Sequence, residues 1–316
     1  MPKVALITGI NGFLGRNIHE YLNDRGILVV GVPRVLLDDP QELRDYINQF
    51  KPHYIYHCAA YGNHSIQRDV DETIITNIIK TYSLLRATQD IDYEVFFNIS
   101  SSSVYGKKDY IMKENDFLEP DNFYSATKAA SEFLARPYAK TLNKNVVNVR
   151  PFSLYGPYEK GHRFIPTIIR NLINNTPMEL IEPSVHDWIY VEDFIEALEV
   201  IRKNISISKG DSINIGTCKQ TTNREIYDKV SDLMKLKTKV KPTKTQRDYE
   251  PSFWRADITK MRMLGWKPRH SLEQGLWKTV KYFKPLYDSK YHQESLTTII
   301  ETTVHQQFGI KFESIR

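Results

Sequence analysis

A chain of 316 residues can bury one large core or two modest ones, and its apolar and charged content is ordinary for a soluble globular protein. A net charge of +5 suits an anionic small molecule, and without a Lys/Arg block or an aromatic-basic stripe it argues against a nucleic-acid partner. The longest apolar runs are strand-sized, which argues against a membrane span, and two cysteines, Cys58 and Cys218, make neither a disulfide framework nor a zinc motif. A reducing, cytoplasmic setting is therefore expected, with no metal.

The N-terminus enters a strand directly at Lys3–Thr8, which reads as leaving no room for a signal peptide. Gly9, Gly12 and Gly15 follow at once, and Phe13–Arg25 shows helical periodicity through Leu14, Ile18, Tyr21 and Leu22. Strand, glycine loop and helix together predict a nucleotide site: the loop of Gly9, Gly12 and Gly15 lets backbone approach a pyrophosphate on the positive end of the helix. The second strand, Ile27–Val32, leads to Arg34 where an acid would hold the ribose hydroxyls of NAD. An arginine there accommodates a 2′-phosphate, so NADP is expected, with NAD possible.

Pro40–Phe50 reads as a helix and Tyr54–Ala60 as the next strand, with Cys58, Ala59 and Ala60 at the end a cofactor would pass. His53 and His57 have HxxxH spacing, but on a strand and without a carboxylate ligand they are expected to be structural. Asn63 lies in the polar loop beyond that strand. Val70, Ile74, Ile78, Thr81 and Leu85 give one face of a helix over Asp69–Thr88, on which Asn77 is either a brace or a site residue. Tyr93–Ser100 is a buried strand followed by Ser101, and Asn145–Arg150 is the next strand, leading to Pro151. Between them, a helix running to about Asn143 starts at Asp121 or Asn122. It places Tyr124 and Lys128 on one face a turn apart, where the ammonium would pull the phenol's pKa down toward the working range.

The remainder reads as shorter pieces: helices over His162–Asn175, Val191–Lys203, Thr222–Leu236, Asp257–Leu264 and Leu272–Tyr282, and strands at His186–Tyr190 and Ser212–Gly216. An amphipathic stretch, Leu296–Val304, lies in the tail after about residue 284, whose role the sequence leaves open.

Seven ordered motifs carry a resemblance: TGxxGFLG at Thr8–Gly15, CAA at Cys58–Ala60, SSSSVYG at Ser100–Gly106, YSATK at Tyr124–Lys128, RPFSLYGP at Arg150–Pro157, HDWIYVEDF at His186–Phe194 and LGWKP at Leu264–Pro268. Over roughly residues 3–283 the chain resembles the extended short-chain dehydrogenase/reductases, in their nucleotide-sugar epimerase/dehydratase/reductase branch. The resemblance implies an α/β fold: a Rossmann-type doubly wound sheet from residues 1–152 and about 187–215, with a smaller substrate domain from about 153–186 and 216–283. It also implies a homodimer through a four-helix bundle, Asp69–Thr88 with the Tyr124 helix of each subunit.

Carried onto these positions, the family's mechanism makes Ser101 the hydrogen-bond donor to the reacting oxygen and Tyr124 its proton partner. Lys128 holds the nicotinamide ribose, and Asn77 supports that lysine. Asn11, Phe13 and Leu14 lie on the pyrophosphate loop beside the glycines, and Ser100 and Pro151 join the cofactor-binding set. Asn63, Ser102, Tyr124, Ser153, Arg163, His186 and Arg247 are expected against the nucleotide sugar. Dehydratases of this branch carry Asp-Glu where Ser102 and Ser103 stand, and the fucose-synthase type has a cysteine at the position of Ser103; both chemistries are therefore disfavoured here. What remains is NADPH-dependent reduction of the C4 ketone of a nucleotide-linked 4-keto-6-deoxyhexose. In Tyr61-Gly62-Asn63-His64, Arg163–Pro166 and Gln246-Arg247-Asp248 the chain is similar to CDP-abequose/paratose synthase-type reductases. A 4-epimerase with bound NAD is the alternative.

Overall fold

The computed structural model describes residues 2–63, 67–243 and 252–288. Its centre is a six-stranded sheet: β1 (Val4–Thr8), β2 (Leu28–Val32), β3 (Tyr54–His57), β4 (Val95–Ile99), β5 (Val146–Pro151) and β10 (Ser212–Ile215). The order is β10-β5-β4-β3-β1-β2, and every pairing is parallel. From β1 the chain crosses to β2 on one side and then to β3 on the other, so a crevice opens beyond the carboxyl ends of β1 and β3.

Side chains alternate between two cores, as a pleat requires. Leu6, Ile55, Phe96 and Val146 face α2 (Pro40–Phe50), α4 (Lys80–Thr88) and α5 (Phe123–Lys140). Ile7, Tyr56, Phe97 and Val147 face the other way, in the core shared with α1 (Phe13–Asn23) and α7 (Val191–Lys203). This is the doubly wound α/β arrangement expected from the sequence.

The helix expected over Asp69–Thr88 is three pieces in line: α3 (Val70–Ile74), a π turn (Ile75–Ile79) and α4. The π turn carries Asn77, and such turns concentrate at functional sites. Two short 3₁₀ turns, Arg34–Asp38 and Ser102–Tyr105, were not legible in the sequence.

Beyond the sheet, β6 (Ser153–Tyr155) pairs in parallel with β9 (Trp188–Tyr190), β7 (Met178–Ile181) with β12 (Val240–Thr243), and β8 (Val185–His186) antiparallel with β11 (Thr221–Thr222). The single strand expected over His186–Tyr190 is therefore two, divided at Asp187. The reason is chemical. The buried Asp187 carboxylate accepts from the backbone of Thr217, Cys218 and Ala256, tying three separate segments to that point. Helices α6 (Phe164–Ile173), α8 (Ile205–Ser208), α9 (Asn223–Met234), α10 (Thr259–Met263) and α11 (Leu272–Tyr287) complete the described chain.

Candidate active site

The glycine loop is built for close backbone approach. Gly9 follows β1 with φ +68°, and a Cβ there would lie 2.9 Å from the Ala59 amide nitrogen. A Cβ on Gly15 would meet the Gly9 carbonyl oxygen at 2.3 Å, so the first turn of α1 can press against the loop only without a side chain. Gly12 caps α1 and brings no side-chain hydrogen bond to the helix start. The helix's positive end therefore faces the crevice, with Asn11, Phe13 and Leu14 beside it, and Cys58, Ala59 and Ala60 cross the end of β3 opposite.

Asn122 caps α5 in a reciprocal pairing with Ser125, which fixes where the helix begins and hence where Tyr124 and Lys128 point. Lys128 is 1% exposed, and its ammonium has no hydrogen-bond partner among the described residues. The hydroxyl of Ser100, at the end of β4, is likewise buried and unpartnered. A buried, unsatisfied donor beside a glycine cradle is what a dinucleotide's ribose hydroxyls and pyrophosphate would satisfy, so the residues fit such a group.

Ser101 caps the turn Ser102–Tyr105. Its hydroxyl lies 2.7 Å from that of Ser103 and accepts from the Ser103 amide at 3.1 Å. The same hydroxyl stands near the Tyr124 phenol and favours its ionised form. Ser102 accepts from the Trp254 indole at 3.2 Å. No carboxylate stands at 101–103.

Two expectations need correction. The Tyr124 phenol is not lowered by its neighbour. Burial raises it above the ordinary value, and the opposing influences are the Ser101 hydroxyl and the Arg163 guanidinium. Lys128 is itself desolvated and pushed down to about 8, against the pull of Glu132 and Cys58. Nor does Asn77 reach the lysine. Its amide nitrogen donates to the Tyr61 carbonyl at 2.8 Å and to Thr127 at 2.9 Å, and its oxygen accepts from the Tyr61 amide at 2.9 Å. It ties the loop after β3 to α5 one residue short of Lys128.

Four of the substrate candidates converge. Arg163 reaches the Asn63 carbonyl at 3.4 Å, and its charge bears on both Tyr124 and His186. Ser153 and His186 meet at 3.3 Å, and burial brings the imidazole down to about 4, so it is neutral at physiological pH. Pro151 ends β5. Arg34 sits apart, ion-paired with Glu72. Arg247 lies outside the described residues, as does the amphipathic stretch Leu296–Val304.

Sequence reasoning missed Glu159. Its carboxylate is buried 3.5 Å from Arg163, and one oxygen has no hydrogen-bond partner among the described residues. Burial pushes it up to about 7, with Arg163 opposing. Because the folded value lies above the ordinary 4.5, the folded protein keeps a proton that the unfolded chain releases. Stability from this group is full below pH 4.5 and is lost as pH rises toward 7. Glu159→Gln is expected to match the parent in urea unfolding near pH 4.5 and to exceed it at pH 8 by up to about 3 kcal/mol, less whatever the lost pairing with Arg163 removes. Equal stability gaps at both pH values would contradict this.

Comparison with known proteins decides the family. The pattern of the NAD dependent epimerase/dehydratase family matches residues 5–216. The chain belongs to that family. A Haloferax volcanii relative, the low-salt glycan biosynthesis protein Agl12, is 29% identical over 307 residues, covering 88% of this chain and 98% of the relative. A Haemophilus influenzae dTDP-glucose 4,6-dehydratase is 26% identical over 333 residues, covering 88% and 97%. Among solved structures, the UDP-glucuronic acid 4-epimerase of Bacillus cereus, in complex with UDP-glucuronic acid and NAD, superposes with a TM-score of 0.80. It is 25% identical, with 90% of this chain and all of that one covered. Among the described residues of this epimerase/dehydratase family member, no helix is long and apolar enough to cross a membrane.

Proposed function

We propose that this family member reduces the C4 ketone of a nucleotide-linked 4-keto-6-deoxyhexose, using NADPH. The observation that carries the reading is the all-hydroxyl rim at the end of β4. Ser103 bonds to Ser101, which stands near the Tyr124 phenol, and Ser102 bonds to Trp254, so hydroxyls stand where water elimination needs a carboxyl pair. Membership beside dehydratases therefore does not bring dehydration with it. The raised phenol supports the same reading, since a ketone accepting hydride needs a proton donor and Tyr124 is held protonated.

The reduced nicotinamide would supply the hydride. Tyr124 gives its proton to the developing alkoxide while Ser101 donates a hydrogen bond to that oxygen. Lys128 binds the nicotinamide ribose hydroxyls and Asn77 holds α5 in place through Thr127. Gly9, Asn11, Gly12, Phe13, Leu14 and Gly15 take the pyrophosphate, Cys58, Ala59, Ala60, Ser100 and Pro151 line the cofactor's path, and Arg34 takes a 2′-phosphate. Asn63, Ser102, Ser153, Arg163 and His186 face the nucleotide sugar, with Arg247 as a further candidate outside the described residues.

One observation favours the alternative, a nucleotide-sugar 4-epimerase with bound NAD. Glu72 supplies a carboxylate beside Arg34, where an acid would suit NAD's ribose hydroxyls. A panel of CDP-, dTDP-, GDP- and UDP-linked 4-keto-6-deoxy sugars, each with NADPH and NADH, separates the two. Consumption of reduced cofactor by one of them supports the reductase. Cofactor-independent interconversion of UDP-hexoses by protein that copurifies with NAD⁺ supports the epimerase.

The homodimer rests on the outer faces of the α3–α4 run and α5, where Ile75, Ile79, Tyr82 and Phe133 are exposed. Burying that apolar stripe against a second copy would make a four-helix bundle. Ile79→Glu is expected to convert a dimer into monomers in light scattering at micromolar concentration; an unchanged mass would contradict this interface.

A further inference from the structure

His57 closes β3 fully buried, and the scheme above gives it nothing to do. Each ring nitrogen meets a threonine hydroxyl: Nδ1 lies 2.7 Å from Thr8 and Nε2 2.8 Å from Thr81. The outer partners settle which way the protons point. The Thr81 hydroxyl donates to the Asn77 carbonyl at 2.8 Å, which uses its one proton. It must therefore accept from His57, so Nε2 carries the hydrogen. Nδ1 is then an acceptor and takes the proton of Thr8, whose oxygen accepts from the Ala59 amide at 3.2 Å. Onward from Asn77, the amide reaches Thr127 at 2.9 Å, and Thr127 donates to the carbonyl of Tyr124 at 2.9 Å.

These bonds run without a break from the ends of β1 and β3 to the turn of α5 that presents Tyr124 and Lys128. Between them lies the π turn, which carries the buried Asn77. Among the described residues, His57 joins the sheet end to the residues of that turn through Thr81, beside the direct bonds of Asn77 to Tyr61.

We infer that His57 is a positioning residue which, as the Nε2–H tautomer, sets the π turn and through it the placement of Tyr124 and Lys128 against the dinucleotide. The inference rests on the reading above for what Tyr124 and Lys128 do, but not for how they are placed. Burial brings the ring down to about 3, with the Lys128 charge adding to it, so one neutral tautomer persists across the working range.

The test compares His57→Leu, Thr81→Val, the double variant and His57→Gln, whose amide can both donate and accept, in the full chain. Nitrogen-15 spectra of labelled histidine report the tautomer, and carbon-13 spectra of labelled lysine follow the Lys128 titration, assigned with Lys128→Met. Neither needs a substrate. An Nε2–H ring that does not titrate between about pH 5 and 8 is expected in the parent. In His57→Leu and Thr81→Val the Lys128 midpoint is expected to move by about 1 pH unit while other lysines stay put. The double variant should go no further than the larger single one, and His57→Gln should restore most of the parent value. With a substrate from the panel in hand, His57→Leu should lower kcat about thirtyfold and leave KM within about twofold. An Nδ1–H ring, an unmoved Lys128 midpoint, additive effects, or a lowered melting temperature with all else intact would each overturn the inference. Absence of turnover in the parent would count against the reductase reading alone.

Discussion

Tyr124→Phe is expected to lower turnover about a thousandfold, a loss of about 4 kcal/mol in transition-state stabilisation, with KM nearly unchanged. The argument is one of timing. In the ground state the phenol stands near the Ser101 hydroxyl and is held protonated by burial. Its proton is needed only as negative charge develops on the sugar oxygen, so removing it strips an interaction made in the transition state and little else. The ring remains to fill its place on α5, and Asn122 and Ser125 still cap the helix. The melting temperature should therefore shift by no more than a few degrees. Steady-state kinetics beside a thermal melt distinguish this from misfolding. A variant with undiminished turnover would remove Tyr124 from the chemistry and favour a protein that binds a dinucleotide without reacting.

Lys128→Met is expected to do two opposite things: raise stability and remove activity. The lysine is buried, its ammonium lacks a hydrogen-bond partner among the described residues, and its folded value is about 8 against an ordinary 10.5. A folded value below the unfolded one means that the unfolded chain holds the proton more tightly. Between pH 8 and 10.5 stability therefore rises with pH, and below 8 the charged side chain is a standing penalty. The gap is worth about 3 kcal/mol at pH 7, and an unbranched thioether of similar length would relieve most of it. For a chain of this size the melting temperature should rise by about 5 °C or more at pH 7, with the advantage fading toward pH 10. Activity should fall at least a hundredfold, because the ribose loses its partner. A lower melting temperature at pH 7 would show that Lys128 is satisfied in the folded protein. Stability given up at a functional group is a common trade.

Much of this arrangement was legible because its signals are local. Gly9, Gly12 and Gly15 sit directly between a strand and a helix, and Asn122 begins the helix that carries Tyr124 and Lys128, so spacing alone placed them. The buried strands were legible as short apolar runs such as Tyr54–His57. What escaped was set by partners far away in the chain. Glu72 meets Arg34 from α3, and Trp254 meets Ser102 from a segment with no helical or strand pattern. The buried pair of Arg150 and Glu132, joined by Tyr105 and Asn214, knits β5, α5 and β10 together. Nothing in spacing announces such contacts. The phenol's direction was misjudged for a related reason: proximity to a cation can be read from YxxxK, but the desolvation that outweighs it depends on what the fold packs around both groups. The π turn at Asn77 likewise looks like an ordinary helix until its neighbours are placed.

The most direct measurement of the central claim uses NADPH carrying deuterium at the transferring position, incubated with the nucleotide-linked 4-keto-6-deoxy sugar that the panel selects. Deuterium bound at C4 of the product, one per cofactor oxidised and absent with Tyr124→Phe, is the predicted result. Products free of deuterium, formed while the reduced cofactor is unchanged, would contradict it.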